Sequence, residues 1–200
     1  MQISGIILAG GHSTRMGQDK TLMPIDAETL IMRTVKELSQ AVDEIIIASN
    51  QKGKYNLPGT LEVPDIYTDM GPLGGIHAGL KAISYKYAFV VAGDLPLFTA
   101  QLAKSLRESI DENFEVIVPE ANGNYEPLCA VYAQDCLRAI EKYLASGHRS
   151  VYGFCERTRL LKINIQGLVK KGQEEEIDLF YNLNTPEDYN NLLKRRKSGL

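Results

Sequence analysis

Short apolar runs separated by amphipathic stretches set the rhythm of this chain. Ile3 to Leu8 and Glu44-Ile45-Ile46-Ile47-Ala48 show no polar alternation, which marks strands buried on both faces of a parallel sheet. Between them Leu30, Ile31, Val35, Leu38 and Val42 recur at helical spacing. This predicts an amphipathic helix over 28–42 with Asp26 as its N-cap. Strand, helix, strand at this distance is a right-handed βαβ unit. A short strand over 61–63 follows, ended by Pro64-Asp65, then a helix over 74–85 and a third buried strand, Tyr87 to Ala92. Further on, the pattern predicts a helix over 101–110 capped by Thr99 and a strand over 114–118. An Asn122-Gly123-Asn124 turn leads to a return strand over 128–132. Helices over 135–145 and 150–156 and a strand over 160–165 come next. Thr185, Pro186 and Asp188 read as N-cap, N1 and N3 of a last helix to Lys194, with a frayed basic tail over 194–197. Alternating buried strands and helices make this an α/β chain with a Rossmann-like, doubly wound, mostly parallel sheet, clearest over 1–110.

The polar breaks carry the chemistry. Behind the first strand stands Leu8-Ala9-Gly10-Gly11-His12-Ser13-Thr14-Arg15-Met16-Gly17-Gln18-Asp19-Lys20. Gly10 and Gly11 allow positive φ and a close backbone approach, so successive amides can form an anion-binding concavity. Arg15 adds a planar fork and Lys20 a point charge, the combination a phosphate chain needs. No P-loop and no dinucleotide fingerprint is present. A second glycine loop, Gly71-Pro72-Leu73-Gly74-Gly75, runs into a helix whose Gly75, Ala78, Gly79 and Ala82 make a small-residue face. That face suits either a ligand or tight packing on the sheet. Asp94 lies just past the carboxyl end of the third strand, where open α/β sheets bind ligands. It is too far before the next helix to cap it, and beside a triphosphate its task is to hold Mg²⁺. His12, His77 and His148 are isolated and no covalent nucleophile stands out. Direct displacement at phosphorus, driven by positioning and charge neutralisation, is the simplest chemistry.

Bulk properties narrow the field. A net charge of −3 over 200 residues argues against a general nucleic-acid surface. No apolar run approaches the ~20 residues that span a bilayer. Cys129, Cys136 and Cys155 form no CxxC pair. An odd count without a signal peptide fits reduced thiols in a cytoplasmic protein.

The first loop resembles the signature of nucleotidyltransferases that build nucleoside-diphosphate compounds: Leu-Ala-Gly-Gly, then Arg-Met-Gly, then Lys. The Asp19-Lys20 ending and the downstream segments most resemble the molybdenum cofactor guanylyltransferases, over nearly the whole chain. The resemblance implies a nucleotide-diphospho-sugar transferase type of fold in a single domain. Residues 1–110 would be the nucleotide-binding half and 111–200 the second-substrate half. It implies that GMP passes from GTP to the terminal phosphate of molybdopterin, with Mg²⁺ as cofactor and pyrophosphate leaving. It places Leu8, Ala9, Gly10, Gly11, Lys20, Asp65 and Asp94 at the nucleotide, Asp94 on the metal, and Arg15, Lys20 and Asp94 in catalysis. Glu126-Pro127-Leu128 and Asn182-Leu183-Asn184-Thr185-Pro186 match segments near the pterin, so Asn182 and Asn184 are expected at the second substrate. Molybdoenzymes or cofactor-insertion proteins are the implied protein partners. The loop between Asp65 and Gly71 is slightly short and His12 stands where the family varies. A cytidylyltransferase of the same cofactor, a sugar-phosphate nucleotidyltransferase and a non-catalytic nucleotide sensor are the alternatives. Retention of both Lys20 and Asp94 argues against the sensor.

Overall fold

The first apolar run becomes β1 (Ser4–Leu8), the strand around which the sheet is laid out in this computed structural model. The structure describes residues 1–10, 19–121, 123–165, 180–183 and 185–197. A single 3₁₀ turn, Lys20–Leu22, leads into a hairpin of β2 (Pro24–Ile25) and β3 (Glu28–Thr29). Asp26 takes a left-handed conformation, φ 58°, in the two-residue hairpin turn, a position that favours Asp, Asn or Gly. It is therefore not the cap of the first helix. That helix, α1, runs over Leu30–Leu38 with Thr29 at its N-cap, shorter than the 28–42 expected from spacing alone. β4 (Glu44–Ser49), β5 (Thr60–Pro64), α2 (Pro72–Ala82), β6 (Tyr87–Ala92) and α3 (Ala100–Glu108) follow. The second half holds β7 (Val116–Ala121), β8 (Asn124–Tyr125), β9 (Cys129–Ala133), α4 (Cys136–Ala145), α5 (Val151–Cys155), β10 (Leu160–Asn164) and α6 (Pro186–Lys197).

The main sheet has the order β5-β4-β1-β6-β9-β7-β10, with β8 on β7. Ser4 pairs in parallel with Glu44 on one side and Ala88 on the other. β4 pairs in parallel with β5, and β7 with β10. Among the described residues, only β9 and the short β8 run against the rest of this sheet. The chain moves outward from β1 to β4 to β5, then returns through α2 to β6 on the far side of β1. That reversal opens a crevice above the carboxyl ends of β1 and β6. α1 and α3 cover one face; α2 and α4 cover the other. The apolar strands fill one large core between these layers, and a separate cluster of Ile25, Leu30, Leu183 and Leu192 joins the hairpin to α6.

Local signals explain most boundaries. The α3 cap is completed by α1: Ala100 N–H donates to Glu37 Oε2 at 2.9 Å, while the Thr99 side chain makes no cap bond. The α6 start is the reciprocal capping box read from the sequence. Thr185 N–H donates to Asp188 Oδ2 (2.7 Å) and Asp188 N–H to Thr185 Oγ1 (3.1 Å). The helical backbone continues to Lys197, past the expected fraying point. Asn122 of the expected turn lies outside the described residues, but Gly123 has the positive φ of 77° that turn needs. The small-residue face of α2 settles on the packing reading at Gly79, where an added Cβ would lie 2.5 Å from Ile6 Cγ2 in the core. The clash outweighs the helix propensity gained. Gly79→Ala should lower stability by about 1–3 kcal/mol, read as a drop in thermal midpoint. An equal or higher midpoint would contradict this packing.

Candidate nucleotide-binding active site

Four strands end side by side at the crevice, and each delivers one or two residues to its rim. β5 leads to Asp65, β4 to Asn50, β1 to Ala9 and Gly10, and β6 to Gly93 and Asp94. Main-chain bonds lock these ends together. Ala9 N–H donates to Ala48 O (2.8 Å), Gly93 N–H to Leu8 O (2.9 Å) and Ala92 N–H to Leu128 O (2.8 Å). Gly10 is glycine for a steric reason: a Cβ there would lie 2.5 Å from Asn50 Oδ1. Gly75, at the start of α2, sits between Leu8 and Asp65, 3.1 Å and 3.7 Å from where its Cβ would be.

Lys20 and Asp94 are brought together from distant parts of the chain, Nζ to Oδ2 at 3.6 Å. Burial pushes the Asp94 carboxyl above its ordinary value, against the pull of the Lys20 cation. Burial likewise raises Asp65, whose Oδ1 is buried without a hydrogen-bond partner among the described residues. Glu126 is a further acid of this rim. Burial raises it, the Leu128 N–H at 3.0 Å opposes the rise, and the nearby Asp94 charge adds to it. Asn182 enters beside Asp94 because Leu183 N–H donates to Asp94 O at 3.1 Å; its own amide donates to Phe180 O. Gly11, Arg15 and Asn184, and the charged stretch 166–178, lie outside the described residues.

Lys20 is held by its neighbours. Asp19 caps the 3₁₀ turn: its Oδ1 accepts from Thr21 N–H (3.0 Å) and Thr21 Oγ1 (2.6 Å). Its other oxygen pairs with Lys54 Nζ. Burial alone would raise the Asp19 carboxyl, but the Lys54 and Thr21 bonds outweigh it and hold it below its ordinary value. Lys54 belongs to a loop fixed from below by Glu62, which accepts the amides of Lys54 (2.8 Å), Tyr55 (2.9 Å) and Asn56 (2.5 Å). Sequence reasoning passed over Asn50, Lys54 and Tyr55 because 49–60 reads as a polar loop. The available signal was the place of Asn50, directly after a buried parallel strand like Asp94.

Among the described residues no group of three or more His, Cys, Asp or Glu is gathered for a metal. One or two carboxylates facing a crevice are the set that suits Mg²⁺, which takes its remaining ligands from phosphates and water. The described helices include none long and apolar enough to cross a membrane.

Residues 5–160 match the model of the MobA-like NTP transferase domain. The chain is 34% identical over 195 residues to a probable molybdenum cofactor guanylyltransferase of Clostridium perfringens, covering 97% of this chain and 98% of that one. It is 32% identical over 198 residues to the molybdenum cofactor guanylyltransferase of Desulfosudis oleivorans, covering 98% and 97%. In fold it is similar to molybdopterin-guanine dinucleotide biosynthesis protein A of Archaeoglobus fulgidus, with TM-score 0.82, 22% identity and coverage of 98% and 100%. It is also similar to 2-C-methyl-D-erythritol 4-phosphate cytidylyltransferase of Thermus thermophilus, with TM-score 0.71, 16% identity and coverage of 98% and 100%.

A folded-state value below the ordinary one means the Asp19 carboxylate stabilises the fold above about pH 3.8. That contribution is lost as the pH falls through the lowered value. Asp19→Asn should therefore melt earlier than wild type at neutral pH, with the difference closing in acid below that range. A difference constant from pH 7 to pH 3 would contradict the pairing with Lys54.

Proposed function

The chain belongs to the molybdenum cofactor guanylyltransferase family and is a nucleotidyltransferase. From this we propose that it transfers GMP from GTP to the phosphate of molybdopterin, giving molybdopterin guanine dinucleotide and pyrophosphate. The observation that carries the reading is the Lys20–Asp94 pair, 3.6 Å apart at the switch point of the sheet. A triphosphate needs a cation, its metal needs a carboxylate, and both are placed on one crevice.

The rim gives the nucleotide a direction. Asp65 offers an acceptor that burial has stripped of other partners, and guanine presents its N1–H and exocyclic amine as donors. The base then lies toward β5, and the triphosphate over β1 and β6. Three strand spacings, about 14 Å, separate the two ends. Leu8, Ala9, Gly10 and Gly11 bring backbone close to the nucleotide, and Arg15 adds its fork to the phosphates. We assign Asn182 and Asn184 to the second substrate; the former is tied to the Asp94 backbone through Leu183. We place the enzyme in the cytoplasm, where its three buried thiols stay reduced, and pass its product to a molybdoenzyme or a cofactor-insertion protein.

Chemically, an oxygen of the molybdopterin phosphate forms a bond to the α-phosphorus as the bond to the β-phosphate bridge oxygen breaks. The electron pair leaves on pyrophosphate. Lys20 stabilises the charge that grows on the leaving group, and Arg15 shares it. Asp94 and the glycine turn keep the α-phosphate oriented for attack, so positioning replaces covalent catalysis. Asp94 would hold Mg²⁺, which when bound would offset the charge of the phosphates.

The test is pyrophosphate release with each nucleoside triphosphate, Mg²⁺ and molybdopterin. GTP should be the productive one, and equal release from CTP would move the chain to the cytidylyltransferases. In the same assay Asp94→Asn should lose roughly 10²-fold or more in rate, with its thermal midpoint kept. Wild-type turnover, or a loss of activity matched by a loss of fold, would remove Asp94 from the chemistry.

A further inference from the structure

One contact near the crevice lies outside the strand ladders of the sheet. Tyr55, in the loop between β4 and β5, is half-buried. Its hydroxyl donates to Ala9 O at 3.1 Å and lies 2.8 Å from Thr21 Oγ1. Ala9 closes the approach of β1 to the crevice, and Thr21 follows Lys20 directly. A single phenol thus joins two points twelve residues apart in sequence, one on each side of the glycine-rich stretch.

The proton count shows what kind of joint this is. Thr21 has one hydroxyl proton, drawn to the Asp19 carboxylate at 2.6 Å, the shorter and charge-assisted contact. The Tyr55 proton is then shared between Ala9 O and Thr21 Oγ1, both within its reach. The ring is braced as well: Lys54 Nζ stands 5.2 Å from its centroid while pairing with Asp19. Glu62 holds the Tyr55 backbone N–H at 2.9 Å. The phenol is therefore anchored at its backbone, its ring and its tip, and its tip fixes the spacing between Ala9 and the Lys20–Leu22 turn.

We propose that Tyr55 is a positioning residue for the nucleotide: by tying Ala9 to Thr21 it sets where Lys20 stands relative to the backbone that approaches the phosphates. The proposal rests on the reading of Lys20 as the phosphate-binding cation. Tyr55 acts through Lys20 and does not itself touch substrate. A fixed Lys20 meets the triphosphate without an ordering cost, whereas a loosened one must be re-ordered at each binding event.

The experiment is a thermodynamic cycle of GTP binding in the presence of Mg²⁺, measured by calorimetry without the second substrate. Wild type, Tyr55→Phe, Lys20→Ala and the double variant are compared, with thermal melts alongside. Tyr55→Phe keeps the ring under Lys54 and removes the hydroxyl with its bonds to Ala9, Thr21 and Lys54. It should weaken GTP binding about 3- to 10-fold, the range one neutral hydrogen bond supports. In the Lys20→Ala background the same change should have no further effect, because the residue it positions is gone. Thr21→Val, which breaks the tie from its other end, should reproduce the loss if Tyr55→Phe fails to fold. Wild-type affinity in the Tyr55→Phe and Thr21→Val variants, or an equal loss with and without Lys20, overturns the positioning role alone. Wild-type affinity in Lys20→Ala overturns the phosphate-site reading, and the positioning role with it.

Discussion

Everything at the site follows from β1 pairing in parallel with β4 on one side and β6 on the other. Parallel strands end at the same edge, so four chain exits fall on one rim. Because the chain leaves β1 toward β4 and returns to β6, its connections part above the sheet instead of covering it. The crevice is thus a product of topology before any side chain is chosen. Side chains then have to respect it. Gly10 leaves room for Asn50, and Gly93 lies so close to Leu8 O and Thr21 that a Cβ would crowd both.

The charges obey a second constraint. Asp94 is disfavoured as an anion by burial, and Lys20 opposes this from 3.6 Å. Asp19, adjacent to Lys20 in sequence, would compete for the same cation. Its negative charge is instead taken up by Lys54 and the Thr21 donors. The loop after β4 therefore does two jobs: it delivers Asn50 to the rim, and it absorbs a charge that would disturb the pair. The small cluster of Ile25, Leu30, Leu183 and Leu192 serves the same end, holding the hairpin behind Lys20 against the segment that carries Asn182.

How far the sequence tells this story depends on the range of each interaction. The buried strands at 44–48 and 87–92 are legible because their apolar runs are uninterrupted, and the α6 cap because its donors and acceptors lie three residues apart. The β2–β3 hairpin is not. Its strands are two residues each, too short for any periodicity, so Asp26 reads as a cap when it is a turn. Lys20 and Asp94 are legible as chemistry next to glycine and at a strand end. Lys54, Tyr55 and Asn50 are not, since their meaning comes from partners 35 to 46 residues away: Lys54 on Asp19, Tyr55 on Ala9, and Asn50 against Gly10. The same is true of the α3 cap, which only the packing of Glu37 reveals.

In the function proposed above, one crevice takes base, triphosphate and metal in the order Asp65, Gly10, Asp94. A crystal structure of the protein with GTP and Mg²⁺ tests it most directly. Guanine is expected against the Asp65 carboxylate, the triphosphate beside Gly10 and Lys20, and Mg²⁺ about 2.0–2.1 Å from an Asp94 oxygen. A nucleotide bound in the reverse direction, or a metal held by phosphates and water without Asp94, would contradict it.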